Sequence, residues 1–208
     1  MYRAVWLKRT NVYLRAQGGQ RASAPPLSFV VMAHTDDSAL LKQIEKAFPT
    51  SPMPEVSLRQ AVLADQTLTR GISDEEWTTE RRKDGTTPWT VLSDEALCQS
   101  SDGLAHLDEE FFVYYLGAFL CFAVKHASAE ILDREGALLC GIVSSITDRS
   151  NYNLGRLRAL NDSQICCVIA VLELLSKSSE THGADSLKAL DRYWLTPEAH
   201  RKTVVYVP

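Results

Sequence analysis

The residues best suited to acid–base chemistry lie where one long apolar stretch, Leu107–His126, begins. His106, Glu109 and Glu110 stand within five positions of one another and could supply a general acid and a general base. The same residues also satisfy the preference of a helix for carboxylates at its N-terminal end. Because helix capping and the helix dipole explain them fully, we predict no catalytic residue here.

Two further spacings could place reactive groups on one helix face. His126 and Glu130 are four residues apart, as two metal ligands on adjacent helical turns would be. Two ligands do not make a metal site, and the helix dipole already favours a histidine at a helix C-terminus. Tyr114 and Tyr115 lie in an apolar run, where buried tyrosines normally find a hydrogen-bond partner. We therefore predict no metal ligand and no cofactor, and core packing for both tyrosines.

Short motifs of common active sites are missing, whereas acidic residues are dense in two segments. No P-loop, GxGxxG, GxSxG, HExxH or paired CxxC occurs in the sequence. A charged helix is usually a solvated face, and an acidic docking surface is the functional alternative. The candidate binding residues on that alternative are Asp74, Glu75, Glu76, Glu80, Glu109 and Glu110.

The apolar stretch itself predicts a central helix at about residues 108–127. Asp108 suits the N-cap position, and Lys125 and the following histidine place cations at the C-terminal end. From Phe111 to Val124 the chain is apolar without a break, so the helix must be covered from several sides. The run of about 14 residues is too short for a bilayer, which needs roughly 20. This helix should be the core of the protein.

Capping pairs and amphipathic spacing predict further helices on both sides of the central one. Ser73 with Glu76 begins a short helix in which Trp77 is the core residue, and Asn161 with Gln164 begins a longer one. Residues 147–156 and 176–185 are rich in turn formers and predict a loop and a flexible connection. A last helix at 187–195 should bury Leu187, Leu190 and Trp194 on one side. We predict an all-α protein, an irregular bundle of about six or seven helices.

Composition and charge limit the class of partner. The 208 residues are 45% hydrophobic and 23% charged, as in a folded globular domain, and ten Gly and eight Pro are few for an all-β protein. Residues 1–31 carry five basic residues and no acid, whereas the remainder carries 17 basic and 26 acidic residues. An acidic body argues against nucleic acid and anionic membranes as partners and leaves basic proteins.

The N-terminal 31 residues have the composition of an appendage. Their basic opening leads into the Gly/Ser/Pro-rich segment QGGQRASAPP, and Met32 begins a segment that reads as a natural start. We expect residues 1–31 to lie outside the fold, as an upstream extension rather than a targeting sequence. Residues 32–208 should form a single helical domain, with residues 202–208 as an edge strand or a disordered tail.

Cysteine usage indicates a reducing compartment. No cysteine belongs to a CxxC, four of the five lie in apolar helical runs, and the two adjacent ones are poor candidates for a mutual disulfide. We expect buried, structural cysteines in a cytoplasmic protein. The five are Cys98, Cys121, Cys140, Cys166 and Cys167.

The order of these features resembles a known protein family. Ala47-Phe48 followed by prolines, Asp84-Gly85 with Trp89, the aromatic run from Leu107 to Leu120, and Gln164 with Ala170-Val171 follow one another in the same order. The chain is similar, over roughly residues 38–178, to a family of small bacterial helical proteins classed as a domain of unknown function. The resemblance implies a bacterial, cytoplasmic helical protein and implies no catalytic residue.

Three functions from different classes follow from these observations. We expect a non-enzymatic protein-binding domain, in its specific form an immunity or antitoxin-like partner that masks a basic toxin or nuclease domain. One alternative is an enzyme of unrecognised type with a site near the start of the central helix. Its residues would be His106, Glu109, Glu110, Tyr114 and Tyr115. Convergence of those side chains in one concave pocket would favour it. The other alternative is a helical oligomerisation module.

Overall fold

The computed structural model describes residues 36–67, 71–84, 88–178, 181–196 and 199. All of them belong to the compact unit His34–Pro208. The expectations for residues 1–31 and for the tail 202–208 lie outside the described residues and stay predictions.

Ten α-helices and no strand are present in those ranges, which confirms the all-α prediction. A 3₁₀ turn, Trp89–Val91, precedes α4, and a π-helical turn, Leu190–Trp194, follows α10. The number of helices exceeds the expected six or seven because several are very short. They are α1 Asp37–Ala47, α2 Leu58–Gln66, α3 Asp74–Asp84, α4 Asp94–Gln99, α5 Gly103–His106, α6 Glu109–Lys125, α7 Arg134–Thr147, α8 Asn151–Arg158, α9 Asp162–Ser178 and α10 Gly183–Ala189.

Helix α6 is the buried centre of the fold, as its unbroken apolar sequence predicts. It contacts α1, α4, α5, α7, α8 and α9. Phe112, Phe119 and Phe122 are fully buried within it, and most other residues of the helix are buried too. Asp108 occupies the N-cap position, although its side chain makes no capping hydrogen bond. The helix is therefore held in place by packing on all sides rather than by its cap.

A glycine in the middle of α6 permits a very close approach of two aromatic residues. A Cβ at Gly117 would lie 2.8 Å from Trp89 Cζ2 and 2.9 Å from Phe48 Cβ. The indole of Trp89 is fixed from its other end, because its Nε1 donates a hydrogen bond of 2.7 Å to the carbonyl of Pro49. The 3₁₀ turn and the end of α1 can pack on α6 at this distance only because position 117 has no side chain.

The predicted capping pairs are confirmed, and one predicted loop is wrong. Ser73 and Glu76 bond to each other's backbone at the start of α3, and Asn161 and Gln164 do so at the start of α9. Residues 147–156, expected to be a loop, instead contain most of helix α8. The turn formers act there as a cap, since the Ser150 hydroxyl accepts a hydrogen bond from Asn153 N at 3.3 Å.

Two expected core residues lie elsewhere. Trp77 is only half-buried, and no other residue of α3 is buried either. Leu187 is 57% exposed, whereas Leu190 and Trp194 are buried as expected, because α10 turns Ser186 and Ala189 toward the core instead. The connection at 176–185 is also shorter than expected, since His182 is buried and α10 begins at the next residue.

The cysteine prediction is correct in part. All five cysteines are free. Cys167 is buried and Cys98 and Cys121 are partly buried, but Cys140 and Cys166 are exposed. These two exposed residues lie on the outer faces of α7 and α9, where amphipathic helices meet solvent, so the expectation of burial is wrong for them.

A helix that crosses a membrane must be both long and apolar, and this requirement applies to every helix in the described ranges. No single helix there combines the length and the apolar character needed to cross a membrane. Helices α8 and α9 taken together have the length and the apolar composition of a membrane span, but they are bent by 117° relative to each other.

Candidate functional site

The acidic residues singled out in the sequence lie on two different helices of the described part of the chain. Asp74, Glu75, Glu76 and Glu80 lie on α3, which packs mainly on α2. Glu109 and its neighbour Glu110 are exposed in the first turn of α6. A Cβ on Gly155 of α8 would lie 3.0 Å from Glu109 Oε1, so this carboxylate faces α8. We treat the α3 group as the candidate site.

Within that group, the carboxylates differ in how far they are engaged. Glu76 accepts hydrogen bonds from the backbone N and the hydroxyl of Ser73, at 3.0 and 2.9 Å. Glu80 pairs with Lys83 one turn further along. Asp74 and Glu75 are exposed and make no ion pair with any residue that the structure describes. The first turn of α3 therefore presents two uncommitted negative charges to solvent.

Polar contacts, rather than apolar burial, attach α3 to the domain. The backbone N of Arg59 on α2 donates to Asp84 Oδ2 at 3.0 Å, and its Nε lies 3.2 Å from Oδ1 of the same carboxylate. Gln60 Nε2 donates to the carbonyl of Trp77 at 3.0 Å. Arg81 Nη2 donates to the carbonyl of Pro54 at 2.8 Å. These bonds hold a charged helix at the surface in one orientation.

A shallow pocket of about 190 Å³ opens between α2, α3 and the end of α4; we call it the α2–α4 pocket. Val62 and Leu63 give it an apolar wall, and Glu80 of α3 places a carboxylate at its edge. The remaining lining residues are polar. They are Arg59, Gln66, Gln99 and Ser100.

Two polar residues of the α2–α4 pocket, Arg59 and Gln99, bond to each other, whereas the hydroxyl of Ser100 does not bond to another lining residue. Gln99 Oε1 accepts a hydrogen bond of 2.7 Å from Arg59 Nη2, and Gln99 Nε2 donates one of 2.6 Å to Glu95. Ser100 is 2% exposed as a residue, and its hydroxyl makes no hydrogen bond to another residue of the described ranges. The hydroxyl is not among the fully buried atoms without a partner, so solvent reaches it and a ligand atom can bind there in place of water.

Next to the pocket, α4 is tied to α6 and α7 by ion pairs. Asp94 Oδ2 lies 2.9 Å from His126 Nε2, and Asp94 Oδ1 lies 3.4 Å from Lys125 Nζ. Partial burial would raise the pKa of the Asp94 carboxyl, but the hydrogen bond from His126 and the charge of Lys125 outweigh it, so the pKa lies below its ordinary value. The hydrogen bond from Arg134 of α7 likewise lowers the pKa of Glu95. His126 thus has a structural partner, as a residue ending α6.

The side chains of the enzyme alternative do not meet in the α2–α4 pocket. His106 Nδ1 lies 3.4 Å from Asp65 Oδ1, while Glu109 and Glu110 are exposed. Tyr114 Oη donates to the carbonyl of Thr50 at 3.3 Å, and Tyr115 is 3% exposed, where burial raises its pKa. The core packing predicted for both tyrosines is confirmed. In the described residues, no group of three His, Cys, Asp or Glu side chains could hold a metal ion.

Sequence reasoning overlooked a buried arginine. Arg156 of α8 is 3% exposed, and its Nη1 donates to the carbonyls of Leu104 and Ala105 at 2.7 and 3.1 Å. Its Nη2 bonds to Asn153, which itself donates to the carbonyls of Ser145 and Asp148 at 2.7 Å. Burial lowers the pKa of Arg156. The sequence did contain one indication of this pair: Asn153 and Arg156 are three residues apart, as two bonded residues on one helix face would be. The segment around them has the composition of a loop, so the spacing was not interpreted as helical.

Comparisons with known proteins place the chain in a family. The model of a family described as a family of unknown function (DUF6714) matches residues 36–198. The match confirms that the chain belongs to a family of unknown function and extends beyond the expected residues 38–178. The bacterial origin stays a prediction. No curated protein and no solved structure matches the chain.

Proposed function

The chain belongs to the DUF6714 family, and on that premise we propose that it is a non-enzymatic protein-binding domain that contacts a basic partner through α3. The observation that carries the proposal is the free acidic turn of α3. Asp74 and Glu75 are exposed and unpaired among the described residues, on a helix that polar bonds hold in a fixed orientation.

Electrostatics and energetics both favour this use of α3. Eleven residues with no buried side chain contribute little to the hydrophobic core, so core packing does not explain why the helix is kept. Exposed charges of one sign speed the association of oppositely charged proteins and select against wrong partners. The acidic residues outside positions 1–31 exceed the basic ones by nine, which extends the attraction beyond α3 itself.

In its specific form, the proposal is that of an immunity or antitoxin-like protein in a bacterial cytoplasm. Its partner would be a basic toxin or nuclease domain, whose cationic active surface an acidic protein can cover. The five free cysteines agree with a reducing compartment. Neither nucleic acid nor an anionic membrane suits a net charge of −4, with 17 basic against 26 acidic residues after position 31.

The experiment is affinity capture from the organism that encodes the chain, followed by calorimetry with the captured protein. The wild-type chain should retain a basic protein whose affinity falls as salt is raised, because surface charge interactions are screened. Asp74→Lys combined with Glu75→Lys should lose it, since the variant puts two cations where the partner needs anions.

The matched control is Asp37→Lys combined with Glu45→Lys on α1. These two acids are also exposed, one of them is in the first turn of a helix, and the change in net charge is the same. The control should bind like wild type. Equal loss in both variants would mean that net charge alone attracts the partner, and no captured protein in any sample would end the proposal.

A further inference from the structure

We propose that the α2–α4 pocket receives the ε-ammonium group of a lysine side chain carried by the protein partner. The inference rests on the proposed function and identifies the chemistry of the residue that anchors the partner. It concerns Glu80, Ser100, Val62 and Leu63, and not the exposed turn of α3 that attracts the partner from a distance.

The walls of the pocket match the two parts of a lysine side chain. Val62 and Leu63 offer a small apolar surface against which part of the methylene chain can lie, while Glu80 supplies a negative charge. An ammonium has three donors and no acceptor. Three acceptors line the pocket, namely the Glu80 carboxylate, the Ser100 hydroxyl and the side-chain carbonyl of Gln66.

The cation already present in the pocket is neutralised by its own partners. Arg59 pairs with Asp84 through Nε and bonds to Gln99 through Nη2. Its charge is therefore engaged, and Glu80 supplies the charge that a ligand meets. An anionic ligand would have to displace Asp84 from Arg59 and would face Glu80 as well, so the electrostatics favour a cation.

Lys83 acts as an internal competitor for the same carboxylate. Its Nζ lies 2.5 Å from Glu80 Oε1, yet its side chain is 51% exposed, against 21% for Glu80, and it does not line the pocket. An ion pair with one exposed partner is weak. An incoming lysine that also reaches Ser100 gains a second hydrogen bond that Lys83 does not make, so it can replace Lys83 at Glu80.

The test is an NMR titration of the full chain with Nα-acetyl-lysine N-methylamide, with the norleucine analogue as the neutral probe of similar shape. The lysine probe should shift the amide signals of Val62, Leu63, Gln99 and Ser100 in a saturable way, and the norleucine probe should not. Glu80→Gln should weaken binding by about tenfold or more, because a charge-assisted hydrogen bond is lost. Glu45→Gln, at an exposed acid on α1 outside the pocket, should leave the affinity unchanged.

Two further variants separate this site from a general attraction to acids. Lys83→Gln should tighten binding of the lysine probe severalfold by removing the competitor. Ser100→Ala should weaken it without lowering the melting temperature, because the hydroxyl has no partner to lose in the folded chain. Equal effects of Glu45→Gln and Glu80→Gln, or weaker binding in Lys83→Gln, would overturn the inference.

Failure of this inference and failure of the proposed function give different results. If the captured protein still requires Asp74 and Glu75 but binds Glu80→Gln as tightly as wild type, the pocket is not its anchor and the proposed function stands. If the lysine probe saturates the pocket but the chain captures no basic protein, the pocket is confirmed as an ammonium site and the proposed function fails.

Discussion

The guanidinium of Arg156 lies over the ring of Phe112, with its central carbon 4.6 Å from the ring centre. A cation over an aromatic face is attracted by the ring quadrupole, and more strongly when both are removed from water. The same guanidinium donates to the backbone carbonyls of Leu104 and Ala105 in α5, about fifty residues earlier in the chain. One side chain thus joins α8 to the segment that precedes the central helix.

Arg156→Lys should destabilise the protein by about 2–3 kcal/mol, although the charge is kept. Lysine cannot reproduce the planar fork that bonds two carbonyls and Asn153 at once, and hydrogen bonds of a charged group are worth about 1.5–3 kcal/mol. Urea unfolding measures the change. Arg192→Lys, at an exposed position, is the control and should change the free energy of unfolding by less than about 0.5 kcal/mol. Equal values for the two variants would contradict this account of Arg156.

Gly117→Ala and Gly141→Ala should have opposite signs. At position 117 the new Cβ would meet Trp89 and Phe48 at under 3 Å, and overpacking of a core typically costs about 1–3 kcal/mol. At position 141, in the middle of α7, the nearest atom would be the carbonyl oxygen of Ser101 at 3.8 Å. There alanine should stabilise by up to about 1 kcal/mol through its helix propensity. Thermal melts of both variants would show the order, and a stabilised Gly117→Ala would refute the close packing at α6.

Phe119→Ala should leave the protein barely folded. The side chain is fully buried in the middle of α6, and its removal leaves a cavity that typically costs about 3–5 kcal/mol, out of a total stability of about 5–15 kcal/mol. Glu109→Gln, at the exposed start of the same helix, should cost about 1 kcal/mol or less. Denaturant melts compare the two, and the reverse order would mean that the start of α6 is a buried polar site.

Stability should fall between pH 7 and pH 5 because of His182. Burial lowers the folded-state pKa of this histidine, against the opposing effects of the Gly136 backbone and Asp185. Above its ordinary pKa of about 6.5 the histidine is neutral in both states. Below that pH the unfolded chain binds a proton that the folded chain resists, so the free energy of unfolding decreases.

His182→Gln should flatten this dependence in urea melts between pH 7.5 and 5. The lowered pKa of Asp94 acts in a separate range, because its stabilising effect is lost only as the pH falls below about 4. If the free energy of unfolding of His182→Gln still falls with pH as steeply as that of the wild type, another group causes the effect.

Elements with their own local signals could be predicted from the sequence. The apolar run of α6 requires burial whatever surrounds it, and the pairs Ser73–Glu76 and Asn161–Gln164 bond within four residues. Helix α8 could not be predicted in this way. Its sequence favours turns, and much of what stabilises it is the set of bonds from Arg156 to carbonyls of residues 104–107, which no local pattern reveals.

Only part of the α2–α4 pocket could be predicted from the sequence, for the same reason. Glu80 stands out in a charged helix, so it was named from the sequence. Arg59, Gln99 and Ser100 come from two other helices and read as ordinary surface residues of each. Their meeting depends on how α2, α3 and α4 pack, and that packing follows from long-range contacts such as the pairing of Arg59 with Asp84.

The attachment of α3 by polar bonds, with no buried side chain, determines how its amide hydrogens exchange with solvent. Opening this helix exposes little apolar surface, so it can detach locally while α6 and its neighbours stay folded, and its amides should exchange far faster than those of the core. A partner that binds only the closed helix would slow this exchange in proportion to its occupancy. The acidic surface is therefore also the segment whose local order a bound partner would control.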